Sequence, residues 1–191
     1  VDQAGTGGNQ TPAPVSVTPG SGNSASQTFT FIFTDPTGFA DLDVLNILIN
    51  SALNGNQSCY LAYSRPANVL YLVNNAGNAL LPGMVMNGSG SVNNSQCSVN
   101  GVGSSAVGAA NTLTLTLNMS FPPAYAGNKI VYIAARDSLA NNSGWQALGT
   151  WRVPGASPTS PAVGGMTPAS GTGMAQTLTF TFTDTSGFAD L

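Results

Sequence analysis

One stretch of this chain is written twice. Residues 28–42 read TFTFIFTDPTGFADL and residues 177–191 read TLTFTFTDTSGFADL. The offset is 149 residues, and 18–42 matches 167–191 without a gap at 16 of 25 positions. A tandem repeat constrains the fold strongly, because each copy must be able to build the same unit. Within the copy, Phe29, Phe31 and Phe33 alternate with Thr28, Thr30 and Thr34. Period-two alternation sends the phenylalanines to one face of a β-strand and the threonines to the other. Burying three phenylalanines contributes roughly 5–8 kcal/mol, so 27–35 is expected to be the core strand.

A period of 149 residues suits one domain with its own core, and the remainder is too short for a second. The chain therefore reads as one complete repeat plus the opening of the next. The expected boundaries are a linker at 1–14, a repeat at 15–153, a Pro/Ser/Thr linker at 154–166 and a partial second repeat at 167–191. Residues 15–18 form a short edge-strand candidate stopped by Pro19-Gly20, and Asp35-Pro36-Thr37-Gly38 is a turn. Residues 44–50 read as a strand in which Leu45, Ile47 and Ile49 alternate, and 58–64 with 68–74 as a hairpin around Arg65-Pro66-Ala67. Residues 112–121 alternate strictly, with Leu113, Leu115, Leu117 and Met119 on one face, and 129–135 and 145–153 supply the last strands. Between 75 and 111, Gly, Asn and Ser obscure any period, and only short strands at 90–92 and 96–99 are expected. Such spacing, with Gly/Pro turns and almost no helical period, gives an all-β antiparallel sandwich.

Charge narrows the function classes. The chain has no Glu and no His, one lysine (Lys129) and three arginines (Arg65, Arg136, Arg152), for a net charge of −3. Nucleic acid is a poor partner, since its binding depends on neutralising phosphates. No apolar run approaches the roughly 20 residues that span a bilayer. With only 6% charged residues, solubility falls to Ser, Thr, Asn and Gly, the surface of a secreted protein. The opening VDQAGTGG has no basic, apolar leader, so it reads as a mature start or as a cut within something longer. Cys59 and Cys97 fit one disulfide or two buried thiols; without His, a zinc site lacks ligands. A bridge would contribute roughly 3–4 kcal/mol and imply an oxidising compartment.

An apolar alternating strand, a Pro-Ala-Tyr-Ala-Gly corner and another apolar strand resemble the tyrosine corner of immunoglobulin-like sandwiches, with Tyr125 as the corner residue. The cysteines do not flank that corner, so the usual inter-sheet bridge is expected to be absent. Together with CYLAYSRPANVLYLVNNAGN, NSQCSVNG, AGNKIVYIAARDS and NSGWQALGTWRVP, the repeat resembles immunoglobulin-like extracellular modules found in tandem in large secreted bacterial proteins. That resemblance covers nearly all of 15–153 and recurs in 163–191. It implies a surface or fibre-forming scaffold whose partners are copies of itself, with no assigned reaction and no cofactor.

Several residue groups have side chains suited to a site. Asp35, Asp41, Asp43 and Asp137 could gather at one pole around Ca²⁺. No D-x-D-x-D-G loop is present, however, and Asp in turns commonly caps backbone N–H groups, so no metal ligand is assigned. Asp184 and Asp190 repeat Asp35 and Asp41, which favours a structural role in every module. Without His or Glu, general acid–base work would fall to Asp and Tyr, and the serines have no base beside them; the chain is read as not an enzyme. Tyr60, Tyr63, Tyr71, Trp145 and Trp151 raise the alternative of a carbohydrate-binding module that stacks on surface glycans. N-glycosylation sequons stand at Asn9, Asn56, Asn87, Asn93, Asn118 and Asn141, and the linkers offer Thr11, Thr159 and Ser160. Finally, the second copy carries an apolar face, Leu178, Phe180 and Phe182, without the strands that would cover it. It is expected to be an inter-repeat strand of a longer array, or to complete a neighbour's sheet.

Overall fold

The computed structural model describes residues 8–156, 160–185 and 187–188. The chain divides into two compact units, Val1–Gly155 and Ala156–Leu191. The first is a β-sandwich. One sheet runs in the order β1 (Ala13–Thr18), β3 (Ser26–Thr34), β10 (Thr112–Ser120), β9 (Ser98–Ala109) and β8 (Ser91–Asn93), all antiparallel. The other runs β2 (Ser21–Asn23), β12 (Gln146–Val153), β11 (Gly127–Asp137), β4 (Leu42–Asn50), β5 (Cys59–Ser64), β6 (Val69–Leu72) and β7 (Met84–Val85). Only β2 lies parallel to its neighbour, β12.

The two strictly alternating stretches find each other. In the β3–β10 pairing, Phe29 faces Leu117, Phe31 faces Leu115 and Phe33 faces Leu113, while threonines fill most of the outward row. These six side chains are at most 2% exposed. A slip of one residue would turn every one of them to water, so the buried face fixes the register. The opposite sheet answers with its own aligned rows: Ile49 lies between Val131 and Cys59, and Ile47 between Ile133 and Leu61. Both inward faces join one continuous core that also takes in Trp151, whose ring meets Phe29 edge-on at 4.9 Å.

Two expectations need correction. Between 96 and 109 the chain makes the twelve-residue strand β9, not a short one. Its period is hidden because β9 carries Gly101 and Gly108 where a side chain would collide. A Cβ on Gly108 would stand 2.1 Å from the Phe39 ring, so the small residue makes room for an aromatic lid. A bulge between the Thr116 and Asn118 pairings further breaks the alternation. The cysteines form the disulfide, and it joins the two sheets away from the strands that flank the Tyr125 corner. Cys59 opens β5 in one sheet and Cys97 immediately precedes β9 in the other, and the two are bonded. The second correction concerns the linkers, whose boundaries move: β1 begins at Ala13 with Pro12 and Pro14 already buried, and the second expected linker contains most of the strand β13 (Ala162–Thr167).

The second unit is a two-stranded hairpin of β13 and β14 (Thr179–Thr183). Its pairing copies β1–β3 residue for residue at the 149-residue offset: Ala13↔Thr34 becomes Ala162↔Thr183, and Thr18↔Thr30 becomes Thr167↔Thr179. The register shift at Pro14/Ser16 recurs at Val163/Gly165. Among the described residues no helix is long and apolar enough to cross a membrane.

Candidate metal centre

The loop after the core strand is built from its own sequence. The Asp35 carboxylate accepts the Thr37 N–H at 2.8 Å, the turn closes with Gly38 N–H donating to the Asp35 carbonyl at 3.0 Å, and Asp41 N–H donates to the Gly38 carbonyl at 2.9 Å. Gly38 sits at φ 121°, where a side chain would be strained. A short 3₁₀ turn, Phe39–Asp41, then swings Asp41 back toward Asp35. The loop is held to the β9–β10 turn by Asp35 N–H on the Asn111 carbonyl and Phe39 N–H on the Ala110 carbonyl.

Tertiary structure adds a third carboxylate. β11 ends at Asp137, and the following Ser138 donates its N–H to the Asp41 carbonyl and its hydroxyl to the Asp41 carboxylate. One carboxylate oxygen from each of Asp35, Asp41 and Asp137 lies within 4.8 Å of the others. Asp35 and Asp137 are fully buried. Asp137 is richly satisfied: Oδ1 accepts the N–H groups of Leu139 and Asn141, and Oδ2 accepts the side-chain amides of Asn141 at 2.7 Å and Asn9 at 3.0 Å. By contrast, Oδ2 of Asp35 and Oδ2 of Asp41 are buried with no hydrogen-bond donor. Ionised carboxylates this close repel by about 3–4 kcal/mol per pair at an effective dielectric near 20. Among the described residues the one ion pair, Arg136–Asp43 at 2.6 Å, involves none of the three. Asp43, the fourth acidic candidate, has thus left the cluster for an arginine. The fifth participant, Asn9, reads in the sequence only as a sequon within a linker, and the fold alone brings it to the cluster.

The other candidates separate cleanly. Tyr125 is buried in a 3₁₀ turn, Pro123–Tyr125, between β10 and β11. Its hydroxyl donates to the Ile49 carbonyl at 2.5 Å and accepts the Cys59 N–H at 3.3 Å. It therefore ties the corner to two central strands of the larger sheet, next to the disulfide. Burial pushes its pKa up to about 12, and the Lys129 ammonium lies 3.9 Å from its ring centroid. Burial in turn lowers the Lys129 pKa. Of the five aromatics considered for glycans, Tyr63 and Trp151 are core residues. Tyr60 and Tyr71 share the outward face of the β5–β6 hairpin but are half-buried, and Tyr60 is crossed edge-on by Trp145 at 5.7 Å. Four sequon asparagines, Asn9, Asn87, Asn118 and Asn141, spend their side-chain N–H groups on protein acceptors. Thr159 and Asp190, the counterpart of Asp41, lie outside the described residues. Leu178, Phe180 and Phe182 are 45–57% exposed. No protein-family model matches the chain, and no curated protein matches it.

Proposed function

We propose that the chain is a structural or adhesive repeat module of an extracellular bacterial protein, an immunoglobulin-like sandwich that works in series with further copies of itself. The carrying observation is the β13–β14 hairpin, which repeats the pairing and the bulge of β1–β3 at a distance of 149 residues. An exposed row of Leu178, Phe180 and Phe182 is what the first strands of a following module present before its remaining strands cover them. The Cys59–Cys97 bridge supports an oxidising compartment. The poverty of charge supports a passive, water-facing surface. Glycan binding draws less support, because two of the five candidate aromatics fill the core and a third is crossed by Trp145.

Negative-stain electron microscopy of the native material tests the proposal. Beads in strings or lateral fibres, on a polypeptide holding many copies of the 149-residue period, are expected. A dispersed single particle carrying a catalytic domain beside one copy of the repeat overturns it.

A further inference from the structure

We propose that Asp35, Asp41 and Asp137 form a Ca²⁺ site, completed by the side-chain oxygens of Asn9 and Asn141, that clamps the segment preceding β1 to the pole of the sandwich. The inference is independent of the module reading and rests on three observations. The first is spacing. Two oxygens bound to one Ca²⁺ at 2.3–2.6 Å are separated by at most about 5 Å, and the three carboxylate oxygens lie within 4.8 Å of one another. Mg²⁺, with ligands near 2.0–2.1 Å, draws its oxygens to within about 4.2 Å and holds them in a stricter octahedron. The second is the pair of orphaned oxygens. Asp35 is fully buried, yet its Oδ2 has no donor, and the same holds for the buried Oδ2 of Asp41. Buried polar atoms are ordinarily satisfied; a cation satisfies both of these at once and cancels the repulsion among the three carboxylates.

The third is the pair of amides at Asp137. Asn9 and Asn141 both direct their side-chain nitrogens at Asp137 Oδ2. Turning either amide by 180° exchanges nitrogen for oxygen in the same place. The Asn9 oxygen now accepts from the Thr37 hydroxyl at 2.7 Å, and that hydroxyl is equally able to accept from the turned nitrogen. The ligands are then all oxygen, the preference of a hard cation, with water filling the remaining positions. At the 149-residue offset Asn9 corresponds to Pro158, so this clamp is particular to the first linker.

Calorimetric titration and thermal unfolding of the whole 191-residue chain with CaCl₂ test the site. One ion per chain is expected to bind, raising the melting temperature by about 5–10 °C at a hundredfold excess over Kd, with chelator reversing the shift. MgCl₂ at equal concentration is expected to give less than half of it. Asp35→Asn keeps an oxygen for the Thr37 N–H but is expected to weaken Ca²⁺ binding at least tenfold. In chelator the same variant melts no lower than the parent, because it removes a repulsion and keeps the cap on the Thr37 N–H; a purely capping role predicts that neither protein responds to calcium. Should Asp35→Asn not fold, Asp41→Asn at the half-buried position carries the same expectation. Asn9→Ala is expected to weaken binding by about tenfold. The site is overturned by the absence of heat and of any shift up to about 10 mM Ca²⁺, roughly tenfold above the weak end of extracellular modules near 1 mM. Undiminished affinity in the carboxylate variants, or an equal response to Mg²⁺, overturns it as well.

Discussion

The hairpins β1–β3 and β13–β14 share one register and one bulge, and β14 keeps all but one of the residues of 30–34, yet their phenylalanines live in different surroundings. Phe31 and Phe33 are 0% exposed, whereas their counterparts Phe180 and Phe182 are 57% and 56% exposed. Phe39 is packed against Gly108 and the core edge; its counterpart Phe188 is 89% exposed. Pairing and turn geometry are thus local properties, satisfied by backbone hydrogen bonds between strands close in sequence. Burial is not local. It requires β10, supplied from residues 112–120, and the facing sheet. An isolated two-stranded hairpin gains little from its apolar face, and nearly all the stabilisation of this motif comes from what covers it.

That contrast sets the largest expected effect. Phe31→Ala should destabilise the first unit by about 3–5 kcal/mol, while Phe180→Ala should change its unfolding by less than about 0.5 kcal/mol. Denaturant melts followed by tryptophan fluorescence decide it, since Trp145 and Trp151 both lie in the first unit. Comparable losses from the two substitutions would mean that the second hairpin is energetically part of the first core. Next comes the staple that the second hairpin lacks. Reducing Cys59–Cys97, which closes a sequence separation of 38 residues, should cost roughly 4 kcal/mol in the chain-entropy account. An unchanged melting point in reductant would show that the inter-sheet contacts alone set the stability.

Tyr125→Phe is a smaller perturbation. It leaves the Ile49 carbonyl and the Cys59 N–H without their partner, for an expected loss of about 1–3 kcal/mol. The same hydroxyl gives the first unit an alkaline limit. Its pKa is raised from 10 to about 12 in the folded state, so its contribution is complete below pH 10 and is lost as pH rises through 12. Melts across that window should show a decline that Tyr125→Phe reduces; an identical pH slope in the variant assigns the decline elsewhere. The smallest effect belongs to the Arg136–Asp43 pair, whose side chains are 44% and 29% exposed. Asp43→Asn should cost less than about 1 kcal/mol and fade with salt. A larger loss would mean that Asp43 also supports the neighbouring acidic cluster.

Legibility followed the strength of the period. The Thr/Phe and Thr/Leu stretches declared themselves because their buried and outward rows differ in every residue, and the two found each other across the chain. β9 did not declare itself, since Gly108 had been reduced to make room for Phe39, a ring that reaches it only in the folded state. Tyr125 was readable as a corner from its Pro and Gly neighbours, but its partners were not, because Ile49 and Cys59 are 76 and 66 residues away. The acidic pole was half legible. Asp35 and Asp41 are joined by a turn written in their own segment, whereas nothing local ties Asp137 to them and Asn9 reads only as a sequon in a linker.

The sequence by itself determined the strands with strong alternation, the repeat period, and the hairpin register that both copies share, because these depend on side-chain periodicity and short-range backbone pairing. Tertiary structure alone decided which copy buries its phenylalanines, that the disulfide joins opposite sheets, and which of four aspartates converge. The physical reason is distance along the chain: burial, charge clustering and cross-linking are relations between segments dozens of residues apart, fixed only once two sheets have closed on one core.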